Sequence, residues 1–122
     1  MWKWIANKNK RSVTIYDDAF FVSKNITAAL VLSYLIDRQI EVISGTIAPD
    51  KVIDGVPYFW VQPSEWANTH VSPKQLAHSL KKLEGYVSVE KDVGGPNIVV
   101  RRLYSVNLDK FMEAIAINDN QV

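Results

Sequence analysis

The sequence predicts an α+β fold, and three observations carry that prediction. Two short, well-capped helices follow one another between Gln62 and Gly85. An amphipathic helix and an aromatic strand precede them, and two β-rich runs around a Gly-Gly-Pro-Asn tip follow. The 122 residues, 48% of them apolar, are close to the commonest size of a domain with one core. A single domain over 1–122 is expected, with an N-terminal extension at 1–23, a core at 24–106 and a C-terminal helix at 107–122.

Met1 to Ser23 alternates aromatic and polar residues. Val13 to Tyr16 is a candidate strand, and Asp17-Asp18 reads as a turn before Phe20-Phe21-Val22. Thr27 to Gln39 lacks Gly and Pro, and Ala28, Val31, Leu32, Leu35 and Ile36 recur at helical spacing, with Asn25 or Thr27 as the cap. Ser44 to Val56, with Gly45, Pro49 and Asp54-Gly55, reads as a loop or wide hairpin, and Tyr58 to Val61 as a brief strand. Pro63 opens a short helix that reaches about His70, with Glu65 placed to meet its unpaired amides. Ser72-Pro73-Lys74-Gln75 repeats the device as a capping box, leaving His70 to Ser72 as the turn. In this second helix Leu76, Ala77, Leu80 and Leu83 fall on one side and Lys74, His78, Lys81 and Lys82 on the other, with Gln75 at the edge and Gly85 as the stop. Tyr86 to Lys91 and Ile98 to Val106 form a hairpin around the turn residues Asp92 to Asn97. Asn107 caps a last helix, Leu108 to Ile117, striped by Leu108, Phe111, Met112 and Ile115.

Composition excludes several classes of function. The absence of cysteine removes disulfides, thiolate metal sites and thiol nucleophiles, and fits a cytoplasmic location. The longest apolar stretch, Ala28 to Ile36, is interrupted by Ser33 and far shorter than the ~18 residues of a membrane span, so no membrane role is expected. His70 and His78 lack ligand spacing, and no Ser-His-Asp set or phosphate loop is present, so no metal, cofactor or catalytic residue is predicted. The net charge is only +1, but it is unevenly spread. Val71 to Tyr104 carries six Lys and Arg against three Asp and Glu, whereas Ser105 to Val122 carries one against three. Local positive charge of this kind suits a phosphate-facing surface.

Helix, strand, short helix, tight turn, amphipathic helix and Gly-tipped hairpin is the order of a winged helix-turn-helix: a three-helix core with a β-hairpin wing, here followed by a C-terminal helix. Short segments also carry a resemblance. They are Leu30 to Leu35, Asp54-Gly55 before Tyr58-Phe59-Trp60, Glu65-Trp66-Ala67, Val71-Ser72, Gln75, Leu80 to Leu83, and Gly95-Pro96-Asn97 through Arg102 to Asn107. Over about Ile26 to Ile115 the chain resembles the N-terminal winged-helix domains of phage and plasmid replication initiators and replisome organisers. It departs from them in its compressed Leu83-Glu84-Gly85 link. The resemblance implies duplex DNA binding without catalysis, at an origin, with other replication proteins as partners. Such initiators commonly carry a further helicase-recruiting domain, so the chain is expected to be a stand-alone binder or the N-terminal part of something longer. Two alternatives share the pattern: a winged-helix transcriptional regulator, and a winged helix that contacts only protein.

In the DNA-binding reading, Ser72, Lys74, Gln75, His78, Lys81 and Lys82 belong to the recognition helix. Lys and Gln have the chemistry to read guanine and adenine edges, although an exposed helix face is polar in any case. Lys91, Gly94, Gly95, Asn97, Arg101 and Arg102 belong to the wing. Neighbouring strand residues face opposite ways, so Arg101 and Arg102 cannot share a groove; Arg102 is favoured, and either could pair with Glu90. Trp2, Trp4, Phe111, Met112 and Ile115 are candidates for a homodimer interface, with core closure as the alternative for Phe111, Met112 and Ile115.

Overall fold

A computed structural model of the chain describes residues 3–8, 11–94 and 99–120, with side chains described for 15–92 and 100–116. The architecture is α+β. Strands β1 (Lys3–Lys8) and β2 (Arg11–Tyr16) form an antiparallel hairpin with Lys3 opposite Tyr16. The strand expected at Val13 to Tyr16 is thus the last four residues of a six-residue one. Asp17-Asp18 is not a turn: it opens helix α1 (Asp17–Ser23). Two carboxylates suit the positive end of a helix dipole, and Ala19, fully buried, fastens this helix to the core.

Helix α2 (Ile26–Ile43) is capped by Asn25, whose Oδ1 accepts from the Ala28 amide at 3.0 Å. It runs one turn past Gln39, where the apolar spacing ends. Gln39 is nevertheless only 3% exposed, because its Oε1 accepts the Val106 amide at 2.8 Å. A buried amide with a partner continues the core face, and Val42 extends it.

The chain then makes strands β3 (Lys51–Ile53) and β4 (Val56–Trp60), and later β5 (Val87–Gly94) and β6 (Val99–Val106). They assemble as an antiparallel sheet in the order β3-β4-β6-β5. The connection at Asp54-Gly55 is tight rather than wide: φ is 51° and 79° at these residues, as a two-residue hairpin turn with two left-handed positions requires. Asp92 and Gly94, expected in the wing turn, stand in the ladder opposite Arg101 and Val99. A 2.7 Å hydrogen bond from Arg101 to Asp92 holds that extension in place. Gly95 and Asn97 lie outside the described residues.

Between β4 and β5 come α3 (Pro63–Asn68) and α4 (Pro73–Lys82). Helix α3 stops short of His70, so the turn is Thr69 to Ser72, with His70 in the left-handed region at φ 63°. On α4 and its C-cap, Leu76, Ser79 and Leu83 are buried, whereas Ala77, expected on the apolar side, is exposed. At about 100° per residue Ser79 lies about 60° from Leu76 and Ala77 about 100°, so Ser79 is nearer the centre of the stripe.

Helix α5 (Leu108–Asn120) starts at Asn107, whose Oδ1 accepts the Lys110 amide at 3.1 Å. Phe111 is 1% exposed and joins the cluster formed by Ile15, Ala19, Leu32, Phe59 and Tyr104. It is therefore a core residue of its own chain and not a dimer contact. Ile115 is partly buried against the same cluster, whereas Met112 is 57% exposed. Both the N-terminal extension and the terminal helix thus help enclose a single core around α2.

The orientation of α3 is set by Glu65. Its Oε2 accepts the Gln62 amide at 2.8 Å, completing the cap, while Oε1 takes the Tyr34 hydroxyl at 2.9 Å and the Arg38 guanidinium, both from α2. Burial opposes charge on Glu65, but these three donors outweigh it and hold the carboxyl below its ordinary pKa. Burial, aided by Glu65, pushes Tyr34 up to about 12. A depressed carboxyl stabilises the fold above its unfolded pKa, and that contribution is lost as pH falls through the lower folded value. A raised phenol stabilises fully below its unfolded pKa of 10 and ceases to do so as pH rises toward about 12. Urea midpoints are therefore expected to drop below about pH 4 and above about pH 10. Glu65→Gln should flatten the acid limb, and Tyr34→Phe should make the alkaline limb shallower; unchanged limbs would refute the assignment.

Candidate nucleic-acid interface

The α4 side facing away from Leu76 and Leu83 is built by the cap. The Ser72 hydroxyl accepts the Gln75 amide at 3.1 Å, and Gln75 Oε1 accepts the Ser72 amide at 2.9 Å. With Pro73 fixing the first turn, Lys74, Gln75, His78, Lys81 and Lys82 all emerge exposed. The capping box has a consequence for recognition. Bidentate pairing with adenine needs both the oxygen and the nitrogen of an amide, and the Gln75 oxygen is already engaged; its Nε2 is left to donate. Lys74, Gln75 and His78 also border a shallow depression of about 270 Å³ whose other edge is Asn25 and Thr27 at the start of α2. Nothing in the order of residues marks these two beyond their value as caps.

The hairpin β5–β6 separates its charges by face. On one face Arg101 pairs with Asp92 at 2.7 Å, reaches Asp50 at 3.9 Å and lies 5.0 Å over the Trp60 ring. The Arg101 hydrogen bond, foremost, with Lys51 nearby, holds the Asp92 carboxyl below its ordinary pKa. The cross-strand partner of Arg101 is thus Asp92 and not Glu90, which stands opposite Leu103. On the other face Lys91 and Arg102 stand directly opposite each other, both exposed. Among the described residues Lys74, Lys81, Lys82, Lys91 and Arg102 make no ion pair.

Helix α4 and the β5–β6 hairpin are neighbours: Pro73 and Leu76 share a cleft with Val100 and Arg102. Of the expected site residues, those of α4, with Lys91 and Arg102, are exposed, and Ser72 is occupied as the cap. Arg101 is neutralised in place, Gly94 closes the described part of the ladder, and Gly95 and Asn97 are outside the described residues. Trp2 is also outside them, and of Trp4 only the backbone, in β1, is described. No helix among the described residues is long and apolar enough to cross a membrane. The chain matches no protein-family model, no curated protein and no solved structure.

Proposed function

We propose that this chain binds duplex DNA as a winged helix-turn-helix, with α4 as the recognition helix and β5–β6 as the wing, in the replication of a phage or plasmid. The observation that carries the reading is Lys91 facing Arg102 across a ladder with no acid between them. Like charges directly opposite destabilise a sheet, so their pairing is economical only where an anion lies against them. The element order supports it too: α2, β4, α3, α4, then β5–β6, with β6 inserted between β4 and β5. Five unpaired cations on neighbouring elements then face phosphate, and His78 stands where base edges would come.

Fluorescence anisotropy of a labelled random duplex tests this at ~50 and ~200 mM salt. Five phosphate contacts are expected to lower affinity by about 10²–10³-fold across that range. Absent or salt-independent binding would overturn the proposal. Mapping the bound site to an origin or to a promoter separates replication from the transcriptional reading. A homodimer is proposed only through groups such as Met112, since Phe111 is internal. The protein-contact reading draws on Ile40 and Ile43, both half or more exposed on the last turns of α2.

A further inference from the structure

Between the α3–α4 turn and strand β6 lies a cleft of about 410 Å³, within the range of small-molecule sites. Trp66, Val71 and Leu76 line it from the helices, and Val100, Arg102 and Tyr104 from the strand. Its lining is mainly apolar and aromatic and contains no Asp or Glu; the two charged residues are both arginines. Arg101 is neutralised by Asp92, but Arg102 has no ion pair among the described residues. Inside the wall, the Trp66 indole N–H is buried without a hydrogen-bond partner. Burial raises the Tyr104 pKa, opposed first by the positive charge of Arg102 and then by the nearby Trp66 indole N–H. Such a site combines an apolar slot for a planar ring with one uncompensated cation at its edge.

We propose that this cleft binds a small aromatic carboxylate, with its rings on the exposed Ala67, Pro73 and Val100 above the Trp66 floor and its carboxylate on Arg102. Charge complementarity selects the acid, and the volume suits one or two fused rings. The site does not depend on DNA binding. If α4 and the wing do hold DNA, the ligand would take Arg102 from the phosphates and so weaken the duplex complex.

The test uses the full chain without DNA and two probes, 2-naphthoate and its neutral counterpart 2-naphthalenemethanol. Binding is followed by calorimetry and by the Trp66 indole resonance, assigned with Trp66→Phe. The acid is expected to bind once per chain and about tenfold more tightly than the alcohol, a difference of about 1.4 kcal/mol. Arg102→Gln, at an exposed position, should remove that difference. Ala67→Phe, on the exposed edge of the cleft, should abolish binding of both without changing the melting temperature. Equal affinity for acid and alcohol, binding indifferent to Ala67→Phe, or no response at millimolar naphthoate would each overturn the proposal. A duplex that moves the Trp66 resonance when naphthoate does not would assign the cleft to DNA instead.

Discussion

Phe111→Ala is expected to destabilise the protein by about 3–5 kcal/mol, lowering its melting temperature by about 10–20 °C. The ring is 1% exposed and packs in the same cluster as Ala19, Leu32 and Phe59, so truncation leaves a cavity in the main core. Met112→Ala, one position along and 57% exposed, should stay within about 0.5 kcal/mol. Thermal melts at two protein concentrations make the comparison decisive. Were Phe111 a contact between chains, its loss would spare the folded monomer and remove any dependence of melting on protein concentration.

Removing the charges of Lys91 and Arg102 should move stability and binding in opposite directions. With both changed to glutamine, the relief of a like-charge pair is expected to stabilise the hairpin by about 0.2–1 kcal/mol. Duplex affinity at low salt should fall about tenfold or more for each side chain, and the salt slope should shrink by about 2 units. Arg101→Gln is the internal control. Its guanidinium is held by Asp92 and stacked on Trp60, so its loss should cost stability while leaving the salt slope unchanged. If affinity followed Arg101 rather than Arg102, the other face of the wing would be the one that meets DNA.

What the sequence made legible was governed by neighbours in the chain. The starts of α3 and α4 were readable because Pro63, Glu65, Ser72, Pro73 and Gln75 act on their own helix ends, and Asn25 and Asn107 behave the same way. Positions settled by a distant partner were misread. Gln39 looked like the end of a helix because the Val106 amide that satisfies it is 67 residues away. Asp92 looked like a turn residue because Arg101, which keeps it in the strand, lies across the ladder. Asp17-Asp18 has turn chemistry by composition, and only the burial of Ala19 against the core makes it a helix start. For the site, the exposed α4 face followed from periodicity. The distinction between Arg101 and Arg102 needed the register, and the cleft beside Trp66 needed the fold.

The bond from the Val106 amide to Gln39 has a further use as a built-in gauge. Val106 is 4% exposed and Gln39 3%, and they join the last residue of β6 to the next-to-last turn of α2. In heavy water that proton can be replaced by deuterium only when strand and helix part, which takes the central core with them. Its replacement rate at Val106 should therefore report the free energy of opening the whole molecule, residue-resolved and without denaturant.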